Sequence, residues 1–559
     1  MRYYALIRRR GELVRLRQVM AVLFRHGFGH VVYALRLGEH VPFLNRALGR
    51  DEEDRPLTFG ARLRLSFEEL GPTFIKFGQL LSNRSDLVPP EVVAELTRLQ
   101  DHAPAFPFAE VRETVIAELH RPPEELFGEF ESAPMAAASI AQVHRATLLS
   151  GERVVVKVQR PGIQRQVAVD LNILQLLAHG LERYLPESRA FAPVDLVRFF
   201  RKTIGRELDF VTEGRNAARF RHNFAGEPDI VVPEVHWRLT TPRVLVMEDV
   251  EGVRVDDSAR LDALGIDHKE IALKGARAFL KQVFEDRFFH ADPHPGNFSV
   301  LPDGRLALVD FGMAGRLDGD LLEELAQVVL AVSEWDASRA ARHLLRLRLL
   351  DEEIDEDAFR SDLAYMIESY AGRPLKDINL GQVLNETIYI AGRYRIRVPP
   401  DCVLLGKAVV AMENVGRRLD PEFDMVAAAR DYARRYALSR FSPGRVKERV
   451  EYMAGDLLHL LRELPGDLQL IVRKATRGKL KLEFEHRGLD TFIMEMDRSS
   501  NRIAFGLVVA ALIVGSSVVI LSDRGPHLFG LPLLGLAGFV LTGLLGLRLI
   551  FGIMRSGKL

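Results

Sequence analysis

The run His290-Ala291-Asp292-Pro293-His294-Pro295-Gly296-Asn297 precedes Asp310-Phe311-Gly312, which closes the apolar stretch Leu308-Val309. Phosphoryl transfer uses one Asp to accept the proton of an attacking hydroxyl and an Asn five residues later to hold magnesium. A second Asp, at a strand end, grips the metal that bridges the phosphates. Asp292, Asn297 and Asp310 have these types at these offsets. Hard oxygen ligands suit Mg2+, which keeps part of its water and is bound jointly by protein and phosphate. The His-x-Asp-x-His pattern also resembles a zinc site. However, Pro293 and Pro295 forbid a continuous helix that would carry both histidines on one face.

A fourth residue belongs with these. Lys157 ends the apolar strand Val154 to Val156, and a phosphate-gripping lysine needs a carboxylate to orient it. The stretch Asp195 to Phe224 has helical spacing, as one long helix or two in succession, and offers Glu207, Asp209 and Glu213. Asp209 and Glu213 share a face and Glu207 lies on another. A continuous helix therefore brings one of the two glutamates to Lys157, and Glu213 is the choice.

The elements that must position these groups follow from changes in texture. Residues 1–120 read as a helical extension broken at Gly71-Pro72, Pro89-Pro90 and Pro104 to Pro107. Residues 121–250 read as strands and hairpins, ending in the buried strand Val244 to Met247. Residues 251–440 are mostly helical, with a helix at Lys269 to Phe284 and a strand at Leu306 to Val309. Residues 441–500 form a charged amphipathic connector. The reading is two unequal lobes with a nucleotide cleft between them.

The 559 residues exceed what one hydrophobic core organises. Lys plus Arg and Asp plus Glu are both 76, so the zero net charge predicts no nucleic-acid partner. The single cysteine, Cys402, excludes an intramolecular disulfide framework and fits a reducing compartment. Ile503 to Leu521 is uncharged and would span roughly 28 Å as a helix. Leu528 to Leu547 is a second apolar run, joined to the first by a turn at Ser522 to His527. Arg498, Arg502, Arg548, Arg555 and Lys558 flank the open ends against Arg524 in the turn, which places the main domain in the cytoplasm. Small residues such as Gly506, Gly515, Ser516 and Gly543 permit close helix packing or a homodimer. The basic N-terminus, with Arg8 to Arg10, Arg15 and Arg17, reads equally as a membrane-surface helix or as a packed helix with a solvated face.

Several further motifs carry a resemblance. Lys76-Phe77-Gly78-Gln79, Leu99-Gln100-Asp101, Ala136-Ala137-Ala138-Ser139-Ile140-Ala141-Gln142-Val143-His144 and Glu207-Leu208-Asp209 occur in order before the Asp292 and Asp310 segments. In these the chain resembles the UbiB family of atypical protein-kinase-like proteins, well over residues 60–320 and by organisation elsewhere. The resemblance implies an α+β, bilobal protein-kinase-like fold with a helical N-terminal extension and a C-terminal transmembrane helical hairpin. It implies ATP or ADP with Mg2+ as cofactors. Asp292 would be the catalytic base, Asn297 and Asp310 the metal ligands, and Lys157 the phosphate clamp. Ala136 to Val143 would form the nucleotide loop, with Met247 and Glu248 at the hinge beside adenine. Lys76 and Gln79 would cover the cleft, with Lys76 near Glu207 or Asp209. Alanines stand where a glycine-rich loop would let backbone N–H groups approach phosphate, so the loop should be stiffer and ordinary protein phosphorylation disfavoured. Ala291 in place of Arg leaves no partner for an activation-loop phosphate.

The implied role is support of ubiquinone biosynthesis at a bacterial inner membrane. Membrane lipid, quinone intermediates and quinone-biosynthetic enzymes would be the partners. The rival is a nucleotide-gated lipid-binding scaffold without phosphoryl transfer. A third reading, a small-molecule kinase, rests on His-x-Asp-x-His-x-x-Asn, and the Lys76 and Glu207 motifs argue against it.

Overall fold

The structure, a computed structural model, describes residues 10–29, 57–82, 88–99, 104–185, 188, 192–347, 355–370, 380–394, 396, 398–439, 476, 489–522, 526–528 and 531–555. It divides into two compact units, Met1–Lys447 and Glu448–Leu559. Gln100, Asp101, Arg8, Arg9, Arg524, Lys558 and nearly all of the 441–488 connector lie outside the described residues.

In the first unit, α1 (Arg10–Leu23) buries Leu16, Val19 and Met20. Its Arg15 donates Nε to Asp170 Oδ1 (2.8 Å) and one terminal nitrogen to Asp170 Oδ2 (3.2 Å) and Leu70 O (2.7 Å). Asp170 is fully buried. Of the two readings of the basic N-terminus, residues 10–23 therefore follow the packed helix, because a buried carboxylate needs its cation. Next come α2 (Phe59–Leu70), α3 (Pro72–Ser82) and α4 (Pro90–Leu96). Gly71, at φ +92°, makes the corner between α2 and α3. A Cβ on Gly78 of α3 would fall on Leu99 Cδ1 and 2.7 Å from Phe67 Cδ2, so the close packing of α3 against both residues requires glycine there.

After α5 (Phe108–Leu119), the strands β1 (Phe127–Phe130), β2 (Ala136–Ala137), β3 (Ala141–Leu148) and β4 (Arg153–Gln159) build an antiparallel sheet. A later strand, β6 (Val244–Glu248), completes it in the order β1-β3-β4-β6, with β2 also on β3. Val154, Val156, Val158, Val244 and Val246 pack with Phe106, Val111 and Val115 beneath one face. Each buried valine contributes roughly 1.5 kcal/mol or more. Val155, Leu245 and Met247 join the main core on the other face, and the period of two puts Lys157 with them. Lys157 sits inside the strand and not at its end. The strand continues because Gln159 N–H donates to Arg243 O (2.9 Å).

The long helical stretch is two helices after α6 (Ile163–Tyr184): α7 (Pro193–Glu207) and α8 (Phe210–Asn223). Asp209 breaks the run as the cap of α8, accepting from Val211 N–H (3.1 Å) and Thr212 Oγ1–H (3.0 Å). The single-helix premise that set Glu207 and Glu213 as alternatives fails for that reason, and the two acids take different partners.

Beyond them lie β5 (Ile230–Val231), β7 (Val253–Arg254), α9 (His268–Phe284), β8 (Phe288–His290), β9 (Phe298–Val300), β10 (Leu306–Leu308) and β11 (Ala314–Arg316). One sheet runs β5-β10-β9-β7, and β8 pairs with β11. Then follow α10 (Gly319–Ser333), α11 (Ala337–Arg346), α12 (Glu356–Tyr370), α13 (Leu380–Arg393), α14 (Pro400–Leu419) and α15 (Met425–Ser439). With α9 they line an apolar cavity of about 280 Å³, walled by Phe279, Leu325, Phe359, Met366, Ile388 and Val409 among others.

The second unit contains α16 (Leu489–Leu521), two short paired strands, His527–Leu528 and Leu531–Pro532, and α17 (Leu533–Arg555). Among the described residues, Ser499–Leu521 is the stretch long and apolar enough to cross a membrane, at a mean hydropathy of 2.7. The second helix begins at Leu533, five residues into the run Leu528 to Leu547, and its apolar part is Leu533–Leu547. Pro532 lacks an N–H and disfavours helix in the residue before it, so the helix starts beyond it. The two helices approach closely where Gly538 faces Ser516 and Gly535 faces Ile520.

Candidate active site

Lys157 Nζ donates to Glu213 Oε1 (2.7 Å) and Oε2 (2.9 Å) and stands 3.5 Å from Asp310 Oδ2. Strand β4 supplies the ammonium, α8 its carboxylate, and the segment after β10 the second acid. Burial works against the Lys157 charge, but Asp310 and Glu213 outweigh it and the ammonium is raised above its usual range. Burial pushes the Glu213 carboxyl up, opposed by Lys157. For Asp310, burial is overcome by Lys157 and by the Gly312 N–H donated to Oδ1 (2.9 Å), which hold it well below the usual carboxylate range. Phe311 is fully buried against Phe220, ring centres 5.6 Å apart, and its carbonyl accepts Asn216 Nδ2–H (3.0 Å). Helix α8 therefore holds both Lys157 and the Asp310 segment.

One imidazole clips the two acidic segments together. His290 Nδ1 accepts Asp292 N–H (3.1 Å), so Nε2 carries the proton and donates it to Asp310 O (2.6 Å). His290 is buried, and burial depresses its basicity in spite of the nearby Asp310. Asn297 Nδ2 donates to Asp292 O (2.9 Å), which fixes the amide and leaves its Oδ1 as the acceptor. Lys407 of α14 reaches Asp292 Oδ1 at 2.9 Å, and His294 Nε2 is 4.0 Å from Asp292 Oδ2. Burial works against ionised Asp292, and Lys407 overcomes it, so the carboxyl lies below its ordinary value.

The other predicted residues divide. Lys76 of α3 pairs with Glu207 at 2.5 Å, and its charge also acts on Asp310. Asp209 is the α8 cap, and Gln79 donates to Leu99 O (3.3 Å). Val143 lies directly opposite Lys157 in the β3–β4 register. Gln142, one residue away, faces the other side, where its amide exchanges hydrogen bonds with Phe106 (3.0 and 3.3 Å) and donates to His144 Nε2 (2.9 Å). Strand alternation thus turns the Gln142 side chain away from Lys157. In the turn after Ala136 and Ala137, Ala138 N–H donates to Ala141 O (2.8 Å). The carbonyls of Ala138, Ser139 and Ile140 all accept from Arg160 (3.3, 3.1 and 2.8 Å). Arg160, absent from the sequence-based set, stiffens this loop. At the position expected for the hinge, Met247 is buried and Glu248 is exposed. The Glu248 N–H is donated to Glu234 O (2.9 Å), which removes it as a donor to adenine. Residues 234–236 cover that edge of β6, a pairing with no local signal in the sequence.

Comparison with known proteins decides what this arrangement belongs to. Residues 98–344 match the ABC1 atypical kinase-like domain, 363–424 the UbiB helical domain, and 487–555 the ABC1/UbiB kinase-like C-terminal domain. The "Probable protein kinase UbiB" of Xanthomonas campestris pv. campestris (strain B100) is 37% identical over 87% of this chain and 88% of its own length. The protein of the same description from Marinobacter nauticus is 36% identical over 87% of this chain and 91% of its own.

The chain belongs to the UbiB family.

An uncharacterized protein in the hydrogenase 1 5'region of Clostridium pasteurianum is 29% identical over 98% of this chain and 100% of its own. Among solved structures, the Rv3197–erythromycin complex from Mycobacterium tuberculosis is 23% identical, covering 67% of this chain and 94% of that one at a TM-score of 0.45. The UbiB match gives the chain a kinase-like fold of mixed helix and sheet, and a kinase-like place among enzymes. Lys157, Glu213, Asp292, Asn297 and Asp310 fall inside the ABC1 match, whereas Lys407 falls inside the UbiB helical domain.

Proposed function

We propose that this UbiB-family chain is a membrane-anchored atypical kinase or ATPase that binds magnesium nucleotide and supports ubiquinone biosynthesis. The reading is carried by the meeting of Lys157 with Glu213 and Asp310 across three separate elements. Asp310 and the Asn297 Oδ1 would hold Mg2+, two oxygen donors being what a metal shared with phosphates needs. Bound there, the metal would supply charge neutralisation on the phosphates. Lys157, kept charged, would grip the phosphates. Asp292, ionised at neutral pH, would accept the proton of the attacking hydroxyl or water. Lys76, tied to Glu207, would lay α3 over the acidic end of the site and restrict access by a bulky acceptor.

The exposed apolar surface of Ser499–Leu521 supports anchoring in a bilayer, with α17 as the return of a hairpin and the flanking arginines on the cytoplasmic side. The apolar cavity favours a second reading, a nucleotide-gated lipid-binding scaffold that holds a hydrophobic intermediate without phosphorylating it. Quinone profiling of a deletion strain complemented with Asp292→Asn separates them. Loss of hydrolysis together with quinone supports the enzyme, and normal quinone with hydrolysis lost supports the scaffold.

A further inference from the structure

We propose that Lys407 is a catalytic residue, an ammonium supplied by the UbiB helical domain to the phosphoryl group as it transfers. The inference rests on the phosphoryl-transfer reading of Asp292, Asn297 and Asp310.

Geometry places the cation. A general base lies about 2.6–3.2 Å from the oxygen it deprotonates, and that oxygen attacks phosphorus in line. Lys407 Nζ is 2.9 Å from Asp292 Oδ1, the carboxylate that the phosphoryl-transfer reading puts on the acceptor side of the reacting centre. Lys157 is held by both oxygens of Glu213, and Lys76 is held by Glu207. The in-line arrangement leaves the equatorial oxygens of the transferring group within reach of an ammonium that leans from Asp292 toward phosphate. Charge accumulates on those oxygens in the transition state, where a preorganised cation is most effective.

The placement of Lys407 in α14 also argues for function. Val403, Leu405, Ala408, Met412, Val415 and Leu419 give this helix its buried face. Lys407 lies off that face, half-buried, with its head on Asp292. Val403, Gly406 and Val409 of the same helix line the apolar cavity, so one rigid element carries both the cavity wall and the cation.

The test uses the full-length protein in lipid nanodiscs, with Mg-ATP turnover and Mg-ATP binding measured for wild type, Lys407→Met, Lys407→Arg and Asp292→Asn. Lys407→Met should lower kcat about a hundredfold, with KM for Mg-ATP within about threefold of wild type. Lys407→Arg should recover about tenfold of that loss, since the charge is kept. The melting temperature reports whether Lys407→Met folds, and Lys407→Gln carries the same kinetic expectation if it does not. A kcat within about threefold of wild type in these neutral variants, or a loss that appears wholly in KM, overturns the assignment. Turnover that Asp292→Asn abolishes and Lys407→Met retains would remove the role of Lys407 alone. A folded wild type with no turnover would remove the phosphoryl-transfer reading and the assignment with it.

Discussion

Lys76, midway along α3, stands 2.5 Å from Glu207, the last residue of α7. The pair joins the N-terminal helices to the acids of the site. It is feasible because the chain breaks at Leu208 and leaves Glu213, on the next helix, to Lys157.

Removing this ammonium should make the metal site more negative. Lys76 acts on Asp310 through space, and at an effective dielectric near 20 a unit charge several ångströms away contributes on the order of 1–2 kcal/mol. The half-saturating Mg2+ concentration for nucleotide binding by Lys76→Met should therefore fall about five- to thirtyfold. Titration of binding against Mg2+ measures it, and an unchanged or higher requirement would contradict the placement of Lys76.

Lys157→Met leaves Glu213 buried without its cation. Breaking such a pair costs about 3–5 kcal/mol, whereas removing both charges costs much less. The single variant should melt well below wild type and Lys157→Met with Glu213→Leu should recover part of the loss. Additive losses in thermal melting would contradict the pairing.

Two buried histidines should make the fold acid-sensitive. Burial lowers the basicity of His144 and His290. His144 Nδ1–H donates to Glu131 O while Nε2 accepts from Gln142, and protonating Nε2 would set N–H against N–H. A histidine depressed in the folded state stabilises above its unfolded value of about 6.5, and that contribution is lost as pH falls through it toward the folded value. The melting temperature should drop between pH 7.5 and 5.5, and less steeply in His144→Asn. Equal slopes for the two proteins would count against His144 as a source.

Gly78→Val should destabilise by about 1–3 kcal/mol through overpacking against Leu99 and Phe67. Melting of this variant beside Gly71→Ala, which has open space at its Cβ but a strained φ, separates crowding from backbone strain.

Much of the site was legible because its chemistry is local. Asp292, Asn297 and Asp310 are close in sequence, and the alternating valines of β4 announce a strand whose period aims Lys157 away from the small core. The same period could have turned Gln142 away from the cleft, since Val143 is the residue opposite Lys157. Asp209 before an apolar run is a recognisable cap, and reading it so would have split α7 from α8. Lys407 and the Glu234–Glu248 pairing had no such signal. Each depends on distant segments meeting, and a lysine within an amphipathic helix reads as a solvated position. Arg160, just past the strand, gave no hint that three successive carbonyls would converge on it.

Calorimetric titration of the full-length protein with ATP, in Mg2+ and again in EDTA, tests the central claim most directly. Saturable binding that requires Mg2+ and weakens by about tenfold or more in Asp310→Asn is the expected result. A folded wild type that takes up no magnesium nucleotide, or an Asp310→Asn variant that binds it undiminished, would contradict a site closed by Lys157 and Asp310.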